Sequence, residues 1–365
     1  DTTPTWVVLR DTTTTLSDTD RVVIGRPGPN NVYRWFLLPG TRALLTGRYP
    51  GFARVRLDSS LEIWVDAVDA RTIATDTTPP NRVAGNARVR PSEGWVDFVL
   101  PIGERPPYVV EEFDRSLQLT LYGTRGNTDL VTYPTSDSLV RHVEWIQETN
   151  DRARYSVELH SRPFGYLALY ENGQFILRIR RPPASLGSSP GSTVSGLRSP
   201  VLSSASSSLS GLIIAVDAGH PPGGATGPTG LFEPDAALPV GVALQRMLEE
   251  RGATVVMTRN GPDAVDLAMR PVTARREGAY AFVSLHYNAY ADGVNPFRMA
   301  NGVEVYFYRP HSESLARAVQ SELAARQPLE DQGIHFRSLA VVRSTWFPAV
   351  LAEGGFLMIP EQESA

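Results

Sequence analysis

Four side chains carry the types that chemistry needs: His220, Glu233, His286 and Glu353. Two imidazoles and two carboxylates are donors suited to a divalent metal and to acid–base work. Their settings are alike. His220 follows the apolar run Leu212–Ala218 (LIIAVDA) and Gly219. His286 follows Tyr280–Leu285, and Glu353 ends the apolar run Ala349–Ala352. Glu233 stands where the next helix opens. In parallel α/β sheets ligands bind at the C-terminal edge of the strands. A helix that follows a strand begins at that same edge. Groups separated by 13, 53 and 67 residues can therefore converge. Two neutral imidazoles and one carboxylate suit zinc and leave a fourth position open, as in catalytic rather than structural sites. A second carboxylate nearby can take a proton from water. Spacing alone does not say which Glu does which.

The elements that must position these groups lie in residues 211–365. Asp235–Arg251 predicts a helix, with Val240, Leu244, Met247 and Leu248 forming its apolar face at i, i+4, i+7, i+8. Pro234 suits its first position and Gly252 its end, while Pro239 threatens a kink. Strand Thr254–Met257, a helix over roughly Asp266–Arg276, strands Tyr280–Leu285 and Gly302–Tyr308, and a helix capped by Ser312 follow. Ser338–Val342 reads as strand-like ahead of Arg343, and Ala349–Glu353 closes the series. This alternation predicts an α/β domain with a mainly parallel sheet flanked by helices.

Ahead of it the sequence changes character. Pro182–Gly211 is dominated by Ser, Gly and Pro without apolar periodicity. Residues 183–210 are thus expected to be a flexible linker with a reach of about 30 Å. Residues 1–182 read as β. In 1–82 the short runs Thr5–Leu9, Arg21–Ile24, Ala53–Leu57 and Glu62–Val65 are punctuated by Gly, Pro, Asn and Asp. Gly40–Ile73, with its aromatic turn and the Trp64-Val65 pair, resembles the bacterial SH3-like module. In 83–182, Trp95–Leu100, Leu117–Tyr122, Arg154–Leu159 and Gln174–Ile179 are strand-like. The closing stretch, Pro163–Tyr166 and Phe175–Pro183, resembles the end of the AMIN-type β-sandwich that accompanies cell-wall amidases. The expected architecture is multidomain: an N-terminal all-β part (SH3-like barrel 1–82, AMIN-like β-sandwich 83–182), the linker, and the α/β domain 211–365. His142 and His160 stand alone, and the β part shows no catalytic constellation.

Composition narrows the chemistry. At 365 residues the chain exceeds one average domain. It has no Cys, which excludes disulfides, thiolate metal sites and a cysteine nucleophile. All 35 basic residues are Arg, which removes a Lys nucleophile or Schiff base. Net charge is −4, and residues 211–365 hold 12 Arg against 17 acids, so a nucleic-acid footprint is missing. No apolar run reaches the ~18 residues of a membrane span. The chain starts at Asp1 without a signal pattern, so a removed leader or a trimmed start is expected and export is not readable from the residues.

One resemblance spans about 150 residues of the C-terminal half. Its motifs run in family order: Asp217-Ala218-Gly219-His220, Gly230-Leu231-Phe232-Glu233, Thr258-Arg259, Ser284-Leu285-His286-Tyr287-Asn288-Ala289, Gly302-Val303-Glu304-Val305-Tyr306, and Pro348 through Glu353-Gly354-Gly355-Phe356. The stretch resembles the zinc-dependent N-acetylmuramoyl-L-alanine amidases of the type 3 class. The resemblance implies that His220, Glu233 and His286 bind Zn2+, and that Glu353 is the catalytic carboxylate. It implies as substrate the amide joining the lactyl group of N-acetylmuramic acid to L-Ala in peptidoglycan. Asn288 and Arg343 are expected at the substrate. A periplasmic or extracellular, wall-associated monomer is expected, with an envelope partner or wall polymer for the β domains and no nucleic acid. The alternatives are a zinc peptidase acting on the stem peptide and a non-catalytic wall-binding or activator module.

Departures from the family pattern accompany the match. Pro221-Pro222 stand where the family has Gly-Gly, and Ile359-Pro360 where it has Asn-Pro. Only Tyr290–Asn301 separates the second His motif from the next strand, too short a segment for a helix that crosses the cleft, so an open site is expected.

Overall fold

A computed structural model describes residues 4–10, 22–73, 78–134, 139–183 and 209–364. The expected linker, 183–210, lies almost wholly outside them. The chain forms two compact units, Asp1–Arg181 and Pro182–Ala365.

Among the described residues the first unit is β-rich, as expected. Strands Glu62–Asp66, Phe52–Arg56, Arg42–Tyr49, Thr5–Leu9 and Ala70–Thr72 form one antiparallel sheet in that order. Alternation sets its faces: Ala53 and Val55 point into a core with Val7, Leu9 and Ile63, while Phe52, Arg54 and Arg56 point away from it. Two further sheets follow. One pairs Ala87–Ser92, Trp95–Pro101, Gln174–Arg180 and Gly165–Glu171; the other pairs Tyr108–Phe113, Ser116–Tyr122, Arg152–Leu159 and Val140–Thr149. Phe98 and Leu100 of one meet Leu119 and Tyr155 of the other in a single core, which makes a sandwich. Both cores lie in one compact unit. Arg152 Nε donates to the buried Asp58 (2.7 Å), and Tyr122 of the sandwich packs into the first core.

The second unit carries the candidate site. Its strands are β1 (Ile213–Ala218), β2 (Thr254–Met257), β3 (Ala281–Asn288), β4 (Val303–Phe307), β5 (Asp331–Phe336) and β6 (Ala349–Phe356). Its helices are α1 (Glu233–Glu249), α2 (Met269–Arg276), α3 (Glu313–Arg326) and the short α4 (Pro360–Glu363). The sheet order is β2-β1-β3-β6-β4-β5. Four of the five neighbouring pairs are parallel; β6 and β4 are antiparallel. The ends of β1, β3 and β6 therefore share an edge with the start of β4. Helices α1 and α3 cover one face, and α2 with the Val341–Phe347 segment covers the other.

The structure corrects four sequence expectations. The strand-like Ser338–Val342 is a 3-10 turn over Ala340–Val342, and β5 was not expected at all. Val240 and Met247 are not on the buried face of α1 but 42% and 52% exposed. The helix instead lays Ala237 and Gly241 on the sheet. A Cβ at Gly241 would stand 3.2–3.3 Å from Met257 and Ala218, a spacing too close for a face of Val and Met. Ser312 precedes α3 but does not cap it, because its hydroxyl accepts from the Ala349 N–H (3.0 Å) and so ties α3 to β6.

Candidate metal centre

His220, Glu233 and His286 are brought together. One ligand atom from each lies within 4.8 Å of the others. The chain leaves β1 at Ala218 and turns sharply, with His220 at φ +52°, in the left-handed region. His220 Nδ1 lies 2.9 Å from Pro222 O. Its Nε2 lies 3.3 Å from Glu233 Oε2, and with Nδ1–H donated to Pro222 it is the nitrogen that would be left to ligate a bound cation. The Pro-Pro pair thus supplies the carbonyl that orients the first imidazole.

Glu233 opens α1 and is 3% exposed. Its Oε2 accepts from the Ala225 N–H (2.9 Å), and its Oε1 from the Tyr287 N–H (3.0 Å). His286 Nδ1 lies 3.1 Å from the same Oε1. Burial alone would push this carboxyl up. The two imidazoles and two backbone N–H groups outweigh burial and hold it well below the usual carboxylate range. The Glu233 carboxylate in turn raises the proton affinity of His220. Two imidazoles gathered on one buried anion form a nitrogen–oxygen donor set that fits a divalent metal. Gly219 makes room for it: a Cβ there would stand 2.5–2.7 Å from three atoms of the His286 ring.

Glu353 is next to this set. In the sheet its Cα partner on β3 is His286, and its partner on β4 is Glu304. The three residues form one rung and share a face. Glu353 Oε2 is buried and has no hydrogen-bond partner among the described residues, the mark of a polar atom awaiting a ligand. Burial first, then the charges of Glu233 and Glu304, push its carboxyl well above the usual range.

Glu304 escaped the sequence reading as a site residue. It is buried, and its carboxylate gathers Asn288 Nδ2, Tyr306 OH (2.7 Å) and His335 Nε2 (2.9 Å). Its one visible signal was an acidic residue in an apolar strand. Asn288 donates from Nδ2 to Glu304 and accepts at Oδ1 from the Ala289 N–H (2.8 Å), which leaves its second amide hydrogen and one oxygen lone pair open. Arg343 is not brought to the centre. Its guanidinium bonds Ser338 (3.0 and 3.2 Å) and its carbonyl accepts from Arg309, where β4 and β5 finish, at the end of the sheet opposite His286. The segment Tyr290–Asn301 carries one 3-10 turn, Pro296–Arg298, and no α-helix.

Known proteins share this half of the chain. Residues 214–365 match the family described as N-acetylmuramoyl-L-alanine amidase. The probable cell wall amidase LytH of Staphylococcus epidermidis is 33% identical over 165 residues, 44% of this chain and 53% of LytH. The chain thus spans about half the length of that relative. The uncharacterized protein YqiI of Bacillus subtilis is 34% identical over 155 residues, 41% of this chain and 72% of YqiI. Among solved structures, N-acetylmuramoyl-L-alanine amidase AmiC2 of Nostoc punctiforme is 33% identical, with 42% of this chain and 86% of that one covered and a TM-score of 0.39. Through residues 214–365, the chain belongs to the N-acetylmuramoyl-L-alanine amidase family.

Proposed function

We propose that this chain hydrolyses the amide between the lactyl group of N-acetylmuramic acid and L-Ala in peptidoglycan. In this reading His220, Glu233 and His286 hold zinc, and Glu353 is the general base. One observation carries it: the buried, unpartnered Oε2 of Glu353 stands one strand away from the ligand His286.

When bound, zinc supplies Lewis acidity, which polarises a carbonyl oxygen and makes water more acidic. The chain supplies the rest. His220 and His286 act as neutral donors, and the strongly acidic Glu233 stays ionised between them. Glu353 Oε2 accepts a proton from the attacking water and passes it to the departing L-Ala nitrogen.

The two β cores of the first unit are proposed to be SH3-like and AMIN-like modules that hold wall polymer or an envelope partner. Binding there raises the local concentration of the catalytic unit at its substrate. The protein then acts outside the cytoplasm, as a monomer.

Mass spectrometry of products from purified peptidoglycan tests the reaction. The expected result is release of intact stem peptides that begin with a free L-Ala amine, lost with chelator and restored by zinc. Cuts inside the stem peptide would instead show a peptidase. No release from a chain that holds zinc stoichiometrically would favour a binding module.

A further inference from the structure

Two arginines outside the donor set are buried against the backbone beside it. Arg259 is 5% exposed and Arg270 is 2% exposed. Arg259 Nη2 donates to Gly219 O (3.0 Å) and to Pro234 O (2.8 Å). A single nitrogen thus joins the residue before His220 to the residue after Glu233. Arg259 also donates from Nε to Ala218 O (2.8 Å) and from Nη1 to Gly261 O (2.9 Å).

Arg270 grips the same turn from α2. Its Nη1 donates to Asp217 Oδ1 (2.8 Å) and Ala218 O (3.0 Å). Its Nη2 donates to His220 O (3.2 Å), Pro221 O (2.8 Å) and Val265 O (3.3 Å). Asp217 is itself held by Thr258 Oγ1 and by Ser284 Oγ (2.6 Å). Every carbonyl from Ala218 to Pro221 therefore accepts from a guanidinium. Those carbonyls need it, because the strand has ended and a buried carbonyl without a donor is costly. A left-handed non-glycine residue such as His220 persists only where its surroundings over-determine it.

We propose that Arg259 is a positioning residue for the metal centre, fixing the span between His220 and Glu233 while Arg270 and Asp217 hold the His220 turn. The inference rests on reading His220, Glu233 and His286 as metal ligands. The planar fork is essential to it. A Lys ammonium is a compact point charge that lacks the fork needed to meet Ala218, Gly219, Pro234 and Gly261 together.

The test is a zinc titration of the metal-free full chain against a chromophoric chelator, with thermal unfolding of the same metal-free samples. Arg259→Lys is compared with Phe282→Leu, a core change in β3 at the end of the sheet away from the centre. Arg259→Lys is expected to weaken zinc binding about tenfold or more, the scale of lost support behind a ligand. Phe282→Leu is expected to keep wild-type affinity even if it melts earlier. Wild-type affinity in Arg259→Lys, or an equal loss in Phe282→Leu, would overturn the proposal. An Arg259→Lys chain that does not fold would overturn it too, by assigning the guanidinium to the fold rather than to the ligand span. A wild-type chain that takes up no zinc would sink the metal reading itself, a result distinct from the other three.

Discussion

His286 and Glu353 are partners across one rung of the sheet, on adjacent parallel strands. The rung places a nitrogen donor and an unpartnered carboxyl oxygen side by side on rigid backbone, with Glu304 as the third member. Loops do not set this pairing; the register of β3, β6 and β4 does. The proposed ligand and the proposed base are thereby held at fixed spacing before any substrate arrives.

The two roles separate by substitution. His220→Ala removes one of three converging donors and is expected to abolish stoichiometric metal binding and activity together. Glu353→Gln is expected to retain the metal and lose about 10²–10⁴-fold in turnover, the usual worth of a positioned acid–base group. Metal content by elemental analysis, alongside turnover on peptidoglycan, reads both.

Stability of the metal-free chain should carry the signature of Glu353. Its folded carboxyl titrates well above the ordinary 4.5, so the unfolded chain releases this proton at lower pH than the folded one. From about pH 4.5 upward, burying the ionised form then costs stability, and the loss grows until the raised value is passed. Glu353→Gln has no such loss. The variant is expected to melt above the metal-free wild type at pH 7–8 and level with it near pH 4. Each 1 kcal/mol corresponds to about 2–4 °C in a domain of this size. Equal melting temperatures at pH 8 would contradict the burial of an isolated Glu353 oxygen.

Gly219→Ala tests the tight approach beneath the second imidazole. The added methyl would meet the His286 ring at 2.5–2.7 Å, so the ring or the strand must shift. A destabilisation of roughly 1–3 kcal/mol is expected, with weaker zinc binding than in the parent. Denaturant melts and zinc titration measure the two effects.

Glu304 and Arg343 should respond in opposite ways. Glu304→Ala strips the shared acceptor from Asn288 and Tyr306, removes the carboxylate beside His335, and leaves part-buried donors unpaired. A loss on the order of 3 kcal/mol is expected, with reduced activity because Glu353 loses its neighbour on the rung. Arg343→Ala, at the other end of the sheet, is expected to stay within about threefold of wild-type turnover, less than 1 kcal/mol in barrier.

The donor set is legible because its members sit where a local pattern ends or, for Glu233, where a helix opens. LIIAVDA, the strand before His286 and the run before Glu353 are continuous apolar strands, and the edge rule for parallel sheets then converges their ends. Glu304 was not legible by that rule, because β4 runs against β6 and presents its start, not its end, to the site. β5 (DQGIHF) mixes polar residues with a central Gly and shows no strand period, so only its pairing with β4 makes it a strand. An apolar count picks the wrong face of α1, because Val240 and Met247 outweigh Ala237 and Gly241 while close packing favours the small pair. Nothing local announces Arg259 or Arg270 as clamps, since their partners are backbone carbonyls supplied by the fold.

The central claim is tested most directly by digesting peptidoglycan in ¹⁸O-labelled water and locating the label by mass spectrometry. The account predicts one ¹⁸O in the lactyl carboxyl of N-acetylmuramic acid, none in the released stem peptide, and labelling about 10²–10⁴-fold slower with zinc-loaded Glu353→Gln. Label in a stem-peptide carboxyl, or undiminished labelling with Glu353→Gln, would contradict it.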